Sequence, residues 1–229
     1  MINIVMAVKD RSRLTAQALR SLALHTSGDW NLTLVDDQSG DETRRGLDFF
    51  RQFRPKQVAI LRNQTSRGIV GQAKNLGVYW AERYWGRGDW LYLSDNDVYF
   101  EKGWDKALVG VALHNDHFGL IGGQNHPYHQ PIAASHETDS LVYEYQALAG
   151  TSWLMRWWVW DAYGPLDAHA PGLCQSEDHV FCQKIREAGG KIGALNPPMI
   201  IDCSLTNTDG KPVIGVETKT ERVEGVLYL

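Results

Sequence analysis

The sequence predicts an α/β domain with a mostly parallel central sheet flanked by helices. Short apolar runs, Ile2 to Val8, Trp30 to Val35 and Trp90 to Leu93, alternate with longer amphipathic stretches. The runs are nearly unbroken in apolar character, as suits strands covered on both faces. Each gives way to a polar segment carrying an acid, and an open α/β sheet binds ligands beyond the carboxyl ends of its strands.

The chain has 229 residues, 43% hydrophobic and 22% charged, which suits one domain with a sizeable core. Lys plus Arg number 23 and Asp plus Glu 27, a net charge of −4 that supplies no global attraction to nucleic acid or an anionic membrane. Cys174, Cys182 and Cys203 form no CxxC pair, so neither a disulfide framework nor a zinc site is expected, and a reduced, cytoplasmic chain is. The N-terminus reads as a first strand and not a signal peptide. No run approaches the ~18 to 20 apolar residues of a membrane span.

In chain order, the strand Ile2 to Val8 is followed by Ser12 to His25, with Leu14, Ala18 and Leu22 at helical spacing. The turn between them, Lys9-Asp10-Arg11-Ser12-Arg13, has no glycine, which argues against dinucleotide and P-loop folds. Trp30 to Val35 ends in Asp36-Asp37, a helix runs to about Phe53, and a strand spans Val58 to Leu61. After the polar loop Asn63 to Gly68, a helix presents Ile69, Ala73, Leu76, Trp80 and Tyr84 on one face. Then comes Trp90 to Leu93, ending in Ser94-Asp95-Asn96-Asp97.

Further on, Lys102 to His114 reads as a helix and Gly119 to Gly122 as a strand. Gln124 to Asp139 reads as a mobile loop whose His126, His129 and His136 fit no metal-ligand spacing. Tyr143 to Met155 reads as one strand, and Arg156 to Tyr163 as a Trp-rich helix stopped by Gly164-Pro165. Gln175-Ser176-Glu177-Asp178 opens a helix that Gly189-Gly190 ends. Strands Lys191 to Leu195 and Met199 to Ile201 lead to Asp202. Residues 1–205 are expected to form the domain, and 206–229 a tail, lid or oligomer contact.

Asp95 and Asp97, one residue apart at a strand end, suit a hard divalent cation such as Mg²⁺ or Mn²⁺, although Asp-Asn-Asp taken alone reads first as a polar turn. Asp37 is either part of a polar loop before an acidic helix N-terminus or a carboxylate at the sheet edge that can accept a hydrogen bond from a nucleobase N–H. Arg67 and Lys74, near the start of the third helix, are either solvated charges or face a bound diphosphate. Trp153, Trp157 and Trp158 are either core or a platform for the apolar face of a sugar ring. Glu177 and Asp178 complement a helix N-terminus, whatever else they do.

These pieces, in their order, resemble the inverting family 2 glycosyltransferases of the GT-A fold. The resemblance rests on Ile4 to Arg11, Val35 to Thr43, Arg67-Gly68, Ala73 to Gly77, Leu93 to Asp97, Gly150, Glu177-Asp178 and Arg186 to Ile192, and spans residues 2 to about 203. It implies a single Rossmann-like GT-A domain, with 1–100 the nucleotide-sugar-binding half and 101–205 the acceptor-binding half, a nucleotide-diphosphate sugar donor, first of all a UDP-sugar, and an Mn²⁺ or Mg²⁺ cofactor. By the same resemblance Ala7, Lys9 and Asp37 line the base and ribose pocket, and Arg67 and Lys74 lie towards the diphosphate. Asp95 and Asn96 contact ribose or donor sugar, and Asp97 holds the metal. Asp178 is the catalytic base, with Glu177 the second choice. The chain departs from the family pattern at Ala7, Lys9 and Asp10, where Pro or Thr and then Tyr-Asn are common, and at Lys74, where Arg is common. Asp202 stands where many members carry a histidine metal ligand.

The implied chemistry is one in-line displacement at an anomeric carbon, with the acceptor hydroxyl deprotonated by Asp178 and the configuration inverted. A phosphohydrolase would carry its Asp-x-Asp on the first strand, and a sugar-nucleotide pyrophosphorylase would have a glycine-rich first loop. The remaining rival is a catalytically degenerate member that binds sugar nucleotide or glycan without turnover. The acceptor is a glycan, protein or small molecule; a nucleic-acid base hydroxyl is less favoured and would need Arg44, Arg45, Arg51 and Arg54 on one face.

Overall fold

The computed structural model describes residues 1–65, 68–115, 117–124, 131–137, 140–167 and 177–203. Eleven strands and six helices follow in the order β1 (Ile2–Val8), α1 (Ser12–His25), β2 (Trp30–Asp36), α2 (Asp41–Phe53), β3 (Val58–Arg62), α3 (Val70–Trp85), β4 (Trp90–Ser94), β5 (Val98–Phe100), α4 (Trp104–His114), β6 (Phe118–Gly122), β7 (Ala133–Glu137), β8 (Ser140–Glu144), β9 (Ser152–Met155), α5 (Trp157–Tyr163), α6 (Glu177–Glu187), β10 (Lys191–Asn196) and β11 (Ile200–Asp202).

Nine strands form one sheet in the order β3-β2-β1-β4-β9-β6-β10-β8-β7, and β11 pairs with β5 in a separate ribbon. β1 lies parallel to both β2 and β4, β2 to β3, and β6 to β10. Only β9 and β8 run against the common direction. The strand periodicity sorts the core into two layers. Ile4, Met6 and Val8 of β1 join α1, α2 and α4 on one face, while Val5 and Ala7 join α3, α5 and α6 on the other.

The chain winds from β1 to β2 to β3 in one direction and then places β4 on the opposite side of β1. The crevice above β1 and β4 is therefore the topological switch point, where open α/β sheets take their ligands. Asp36 fixes one side of it. Its buried carboxylate accepts from the Ser39 amide at 2.9 Å and pairs with Arg62 at 2.7 Å and Arg44 at 3.3 Å. Burial alone would raise that carboxyl, but Ser39 and Arg62 together hold it below the ordinary range. Of the Asp36-Asp37 pair, the first is thus a structural brace and the second is left for the rim.

Three expectations change. The third helix does not bury its aromatic stripe: Trp80 and Tyr84 are exposed, whereas Ala73, Lys74, Gly77 and Ala81 face the sheet. Small residues win because the backbones approach so closely that a Cβ at Gly77 would lie 2.3 Å from Val5 Cγ1 and 2.8 Å from Val35 Cγ2. The apolar stretch 143–155 is not one strand but β8 and β9. Ala147 and Leu148 between them are buried without extending either ladder, which is why the sequence reads as continuous. Part of the expected mobile loop, Ala133–Glu137, is the strand β7 at the sheet edge. His126, His129, the Gln175-Ser176 start of the last helix and the tail 206–229 lie outside the described residues. Gly189 takes φ 84° where α6 ends, the left-handed stop that its glycine pair foretells.

These contacts set a stability contrast. Gly77→Ala gains helix propensity but forces a methyl into Val5 and Val35, with an expected net loss of about 1–3 kcal/mol. Tyr84→Ala, on the exposed side of the same helix, is expected to cost less than about 1 kcal/mol. Urea unfolding of both variants checks the packing face, and the reverse order would contradict it.

Candidate active site

Three loops meet at the carboxyl edge of the sheet. The β1–α1 turn brings Lys9, Asp10 and Arg11, the end of β2 brings Asp37 and Gln38, and the end of β4 brings Asp95, Asn96 and Asp97. Asp10, Arg11 and Gln38 all have positive φ, at 53°, 56° and 63°. Non-glycine residues rarely adopt this conformation, and several together at one rim mark a site held against local preference.

The bracing is specific. Asp10 Oδ1 accepts from the Gly40 amide at 2.7 Å, and the Asp10 amide donates to Ser39 Oγ at 2.9 Å. Asn96 Nδ2 donates to the Asp10 carbonyl at 3.1 Å and to Thr15 Oγ1 at 2.7 Å. The Asn96 amide thereby locks the β4 edge to the first turn of α1. On the other flank Asp37 Oδ1 accepts from Asn63 Nδ2 at 2.6 Å, and Lys9 Nζ donates to the Asp37 carbonyl at 3.2 Å. Ala7, one residue inside this rim, is buried beside Val5 and Val35 on the α3 side.

Lys74 is buried at 1% exposure. Its Nζ lies 2.6 Å from Asp95 Oδ1 and donates to the Gly150 carbonyl at 2.6 Å. The amide of the same Gly150 donates to Asp178 Oδ2 at 3.3 Å, and Asp178 Oδ1 accepts from the His179 amide at 2.8 Å. Asp95, Lys74, Gly150 and Asp178 form one continuous network, although they come from β4, α3, the β8–β9 connection and α6. Glu177 turns elsewhere. It packs over the first turn of α3, where a Cβ at Gly71 would lie 3.3 Å from its Cγ.

Asp97 and Asp202 are neighbours because β11 pairs antiparallel with β5, with Asp202 opposite Val98. The Cys203 amide donates to the Asp97 carbonyl at 2.8 Å and the Asp202 amide to Gln124 Oε1 at 2.9 Å. Arg11 pairs with Asp97 Oδ2 through Nη1. Burial, with the negative charges of Asp95 and Asp202, pushes the Asp97 carboxyl up to about 6 despite Arg11. Two crowded, desolvated carboxylates of this kind fit a hard cation, and both donate oxygen. Among the described residues no three His, Cys, Asp or Glu side chains group as a ligand set. A cation held here would complete its shell with water and ligand phosphates, which is the habit of Mg²⁺.

The expected tryptophan platform does not stand at this edge. Trp153 is 1% exposed and stacks on Phe181, with centroids 5.4 Å apart, inside the α3–α6 layer. β9 then leads away from the acidic edge, because Ser152 pairs with Ser94 and Met155 with Leu91. Trp157 is buried under Arg87, and Trp158 is exposed beside Trp90, where β4 begins. Arg67 lies outside the described residues. Arg11, Asn63, Thr15 and Gln124 were given no role by sequence reasoning, and Gly150 entered it only as a matching position. Of the four, Arg11 alone left a trace there, as a cation in the turn that precedes α1.

A three-layer α/β domain with carboxylates gathered at its switch point is the architecture of nucleotide-sugar-dependent glycosyltransferases of the GT-A type. The family model for glycosyl transferase family 2 matches residues 3–150, and the chain belongs to that family of glycosyltransferases. No curated protein matches it significantly in sequence. Among solved structures it resembles GalNAc-T7 bound to UDP, GalNAc and Mn²⁺, with TM-score 0.70 at 16% identity, covering 87% of this chain and 43% of that one. It also resembles TarS of S. aureus, with TM-score 0.60 at 19% identity over 85% of this chain and 57% of that one. A third is the mannosyltransferase PcManGT of Pyrobaculum calidifontis in complex with GDP-Man and Mn²⁺, with TM-score 0.62 at 12% identity over 84% and 56%. The chain therefore spans about half the length of these structures, and the likeness extends to the fold. No helix among the described residues is long and apolar enough to cross a membrane.

The strained acidity of Asp97 has a measurable sign. An acid whose folded value lies above its ordinary 3.8 destabilises the fold fully above about pH 6 and not at all below about pH 4. Asp97→Asn is expected to raise the melting temperature at pH 7.5 in chelator, by the equivalent of roughly 2–3 kcal/mol at most. Loss of the pair with half-exposed Arg11 subtracts little from this. The difference should shrink as pH falls through about 6, and melting curves across that range check it.

Proposed function

We propose that this chain is a metal-dependent, inverting glycosyltransferase that moves a sugar from a nucleoside-diphosphate donor, UDP-sugar first among them, to an acceptor hydroxyl. The observation that carries the reading is the joining of Asp178 to the Asp95–Asp97 edge through Lys74 and the Gly150 peptide. A base must lie within reach of the acceptor proton at the same place where the leaving group is held. The hydrogen-bond chain that ties Asp178 to that edge supports it in this role, and Glu177, which packs against α3, is the second choice.

In the proposed reaction Asp37 and Lys9 receive the base and ribose, with Asn63 fixing the Asp37 carboxylate that accepts a base N–H. Asp95, held by Lys74, orients the donor sugar. Asp178 accepts the proton of the acceptor hydroxyl as its oxygen bonds to the anomeric carbon. The bond from that carbon to the diphosphate oxygen breaks with its electron pair on the diphosphate, and the configuration inverts. Asp97 and Asp202 are the residues proposed to hold Mn²⁺ or Mg²⁺, which supplies charge neutralisation on the departing diphosphate. UDP with Mn²⁺ in GalNAc-T7 and GDP-Man with Mn²⁺ in PcManGT support the class of donor and cofactor and leave the base open between uracil and guanine. The acceptor is a glycan, protein or small molecule. The tail 206–229 is proposed as a lid or oligomer contact of the same domain.

Two measurements test this. Melting temperature with UDP, GDP, CDP or ADP, each with and without Mn²⁺, should rise for one nucleotide in a metal-dependent way, and Asp97→Ala should lose the metal-dependent part. No shift with any nucleotide at saturation would refute the donor class. Donor turnover, as nucleoside diphosphate released in the presence of an acceptor screen, should fall at least ~10²-fold in Asp178→Asn, the scale of a lost general base. Intact turnover in that variant would remove Asp178 from the mechanism.

A further inference from the structure

Asp97 already has a cation. Arg11 Nη1 sits on its Oδ2, and the two side chains differ in their attachment to solvent: Arg11 is 53% exposed, Asp97 only 8%. The carboxylate is fixed in place, while the guanidinium is on a long tether with water behind it. The tether itself is aimed. Asp10 and Arg11 take successive left-handed conformations, which L residues adopt only when something holds them there. The holding contacts are to backbone and to Asp10: the Gly40 amide and Ser39 hydroxyl on Asp10, and Asn96 Nδ2 and Thr15 Oγ1 on its carbonyl. The Thr15 amide closes the turn onto the Arg11 carbonyl at 2.9 Å. None of these contacts restrains the Arg11 side chain, so it can leave without dismantling the turn.

We infer that Arg11 occupies the cation position on Asp97 in the free chain and yields it when a diphosphate arrives with a divalent metal. This inference rests on the reading of Asp97 as a metal ligand. A guanidinium and a divalent cation repel at contact distance, so the two exclude each other from one carboxylate oxygen. A diphosphate changes the balance, because it brings anionic oxygens that a guanidinium pairs with in its planar, two-pronged geometry. Arg11 then exchanges a carboxylate for phosphate and stays paired throughout. The consequence is conditional metal binding: weak to the free chain, strong once the nucleotide is present. Arg11 is on this account a further donor-binding residue as well as a guard on the cation site.

The test is Mn²⁺ binding to the nucleotide-free protein, read from the free-Mn²⁺ electron paramagnetic resonance signal. Wild type, Arg11→Ala, Arg11→Gly and Asp97→Ala are compared at fixed ionic strength. Glycine suits the left-handed backbone at position 11, so that variant keeps the turn if alanine strains it. Both Arg11 variants are expected to bind Mn²⁺ at least ten-fold more tightly than wild type, with Asp97→Ala abolishing the site. Equal or weaker Mn²⁺ binding in the Arg11 variants, with the Asp97 dependence retained, overturns the inference and leaves the proposed function standing. Mn²⁺ binding that is unchanged in Asp97→Ala overturns both the inference and the metal assignment beneath it.

Discussion

A single buried ammonium, that of Lys74, holds the acidic edge together. Taking a lysine out of water is costly, and the cost is offset only if its charge and its protons find partners. Here the partners are Asp95 Oδ1 and the Gly150 carbonyl, each at 2.6 Å. The constraint runs in both directions. Lys74 can be buried because α3 lies so close to the sheet at Gly77 that its inward face reaches the strand ends, and Asp95 and Gly150 are fixed because Lys74 must be satisfied. Asp178 inherits its position from Gly150. Four segments far apart in sequence are thereby set relative to one another by one charge.

The rest of the site follows from charge balance. Asp95, Asp97 and Asp202 crowd one end of the crevice, and Lys74 and Arg11 are the cations paired with the first two. Burial and the neighbouring charges of Asp95 and Asp202 raise the proton affinity of the Asp97 carboxyl despite Arg11. Such a surface favours any added positive charge, whether proton, guanidinium or metal. The opposite end of the crevice is built differently. Asp36 is locked by Ser39, Arg44 and Arg62, while Asp37 is aligned by the neutral amide of Asn63, an arrangement suited to hydrogen bonding more than to holding ions.

Much of this was legible in the sequence because sheet edges announce themselves. Apolar runs that stop at acids gave β1, β2 and β4 and, with them, Asp37, Asp95 and Asp97, and the glycine pair at 189–190 marked the end of α6. On α3 the misreading came from taking bulk for burial. Trp80 and Tyr84 outweigh Gly77 and Ala81 in any count of hydrophobicity, yet close packing selects the small residues. Trp153, Trp157 and Trp158 are near one another in sequence, but β9 buries Trp153 against Phe181 and leads away from the acidic edge, so that Trp157 is buried on α5 and Trp158 is exposed towards the far end of the sheet. Arg11 was passed over because its role depends on a left-handed backbone, which no propensity of Asp10 or Arg11 signals.

The insertion of β9 between β4 and β6 has a consequence for how such a chain can diversify. The family-matched stretch ends at residue 150, yet the strand that begins at Ser152 lies at the centre of the sheet, and β10 lies between β6 and β8. The later part of the chain is woven through the earlier part and is not appended to it. Swapping cassettes at residue 150 between relatives would therefore exchange the middle of a sheet along with α6. Change in this architecture is more readily accommodated in the connections between strands, which can lengthen or vary while the weave of the sheet is kept.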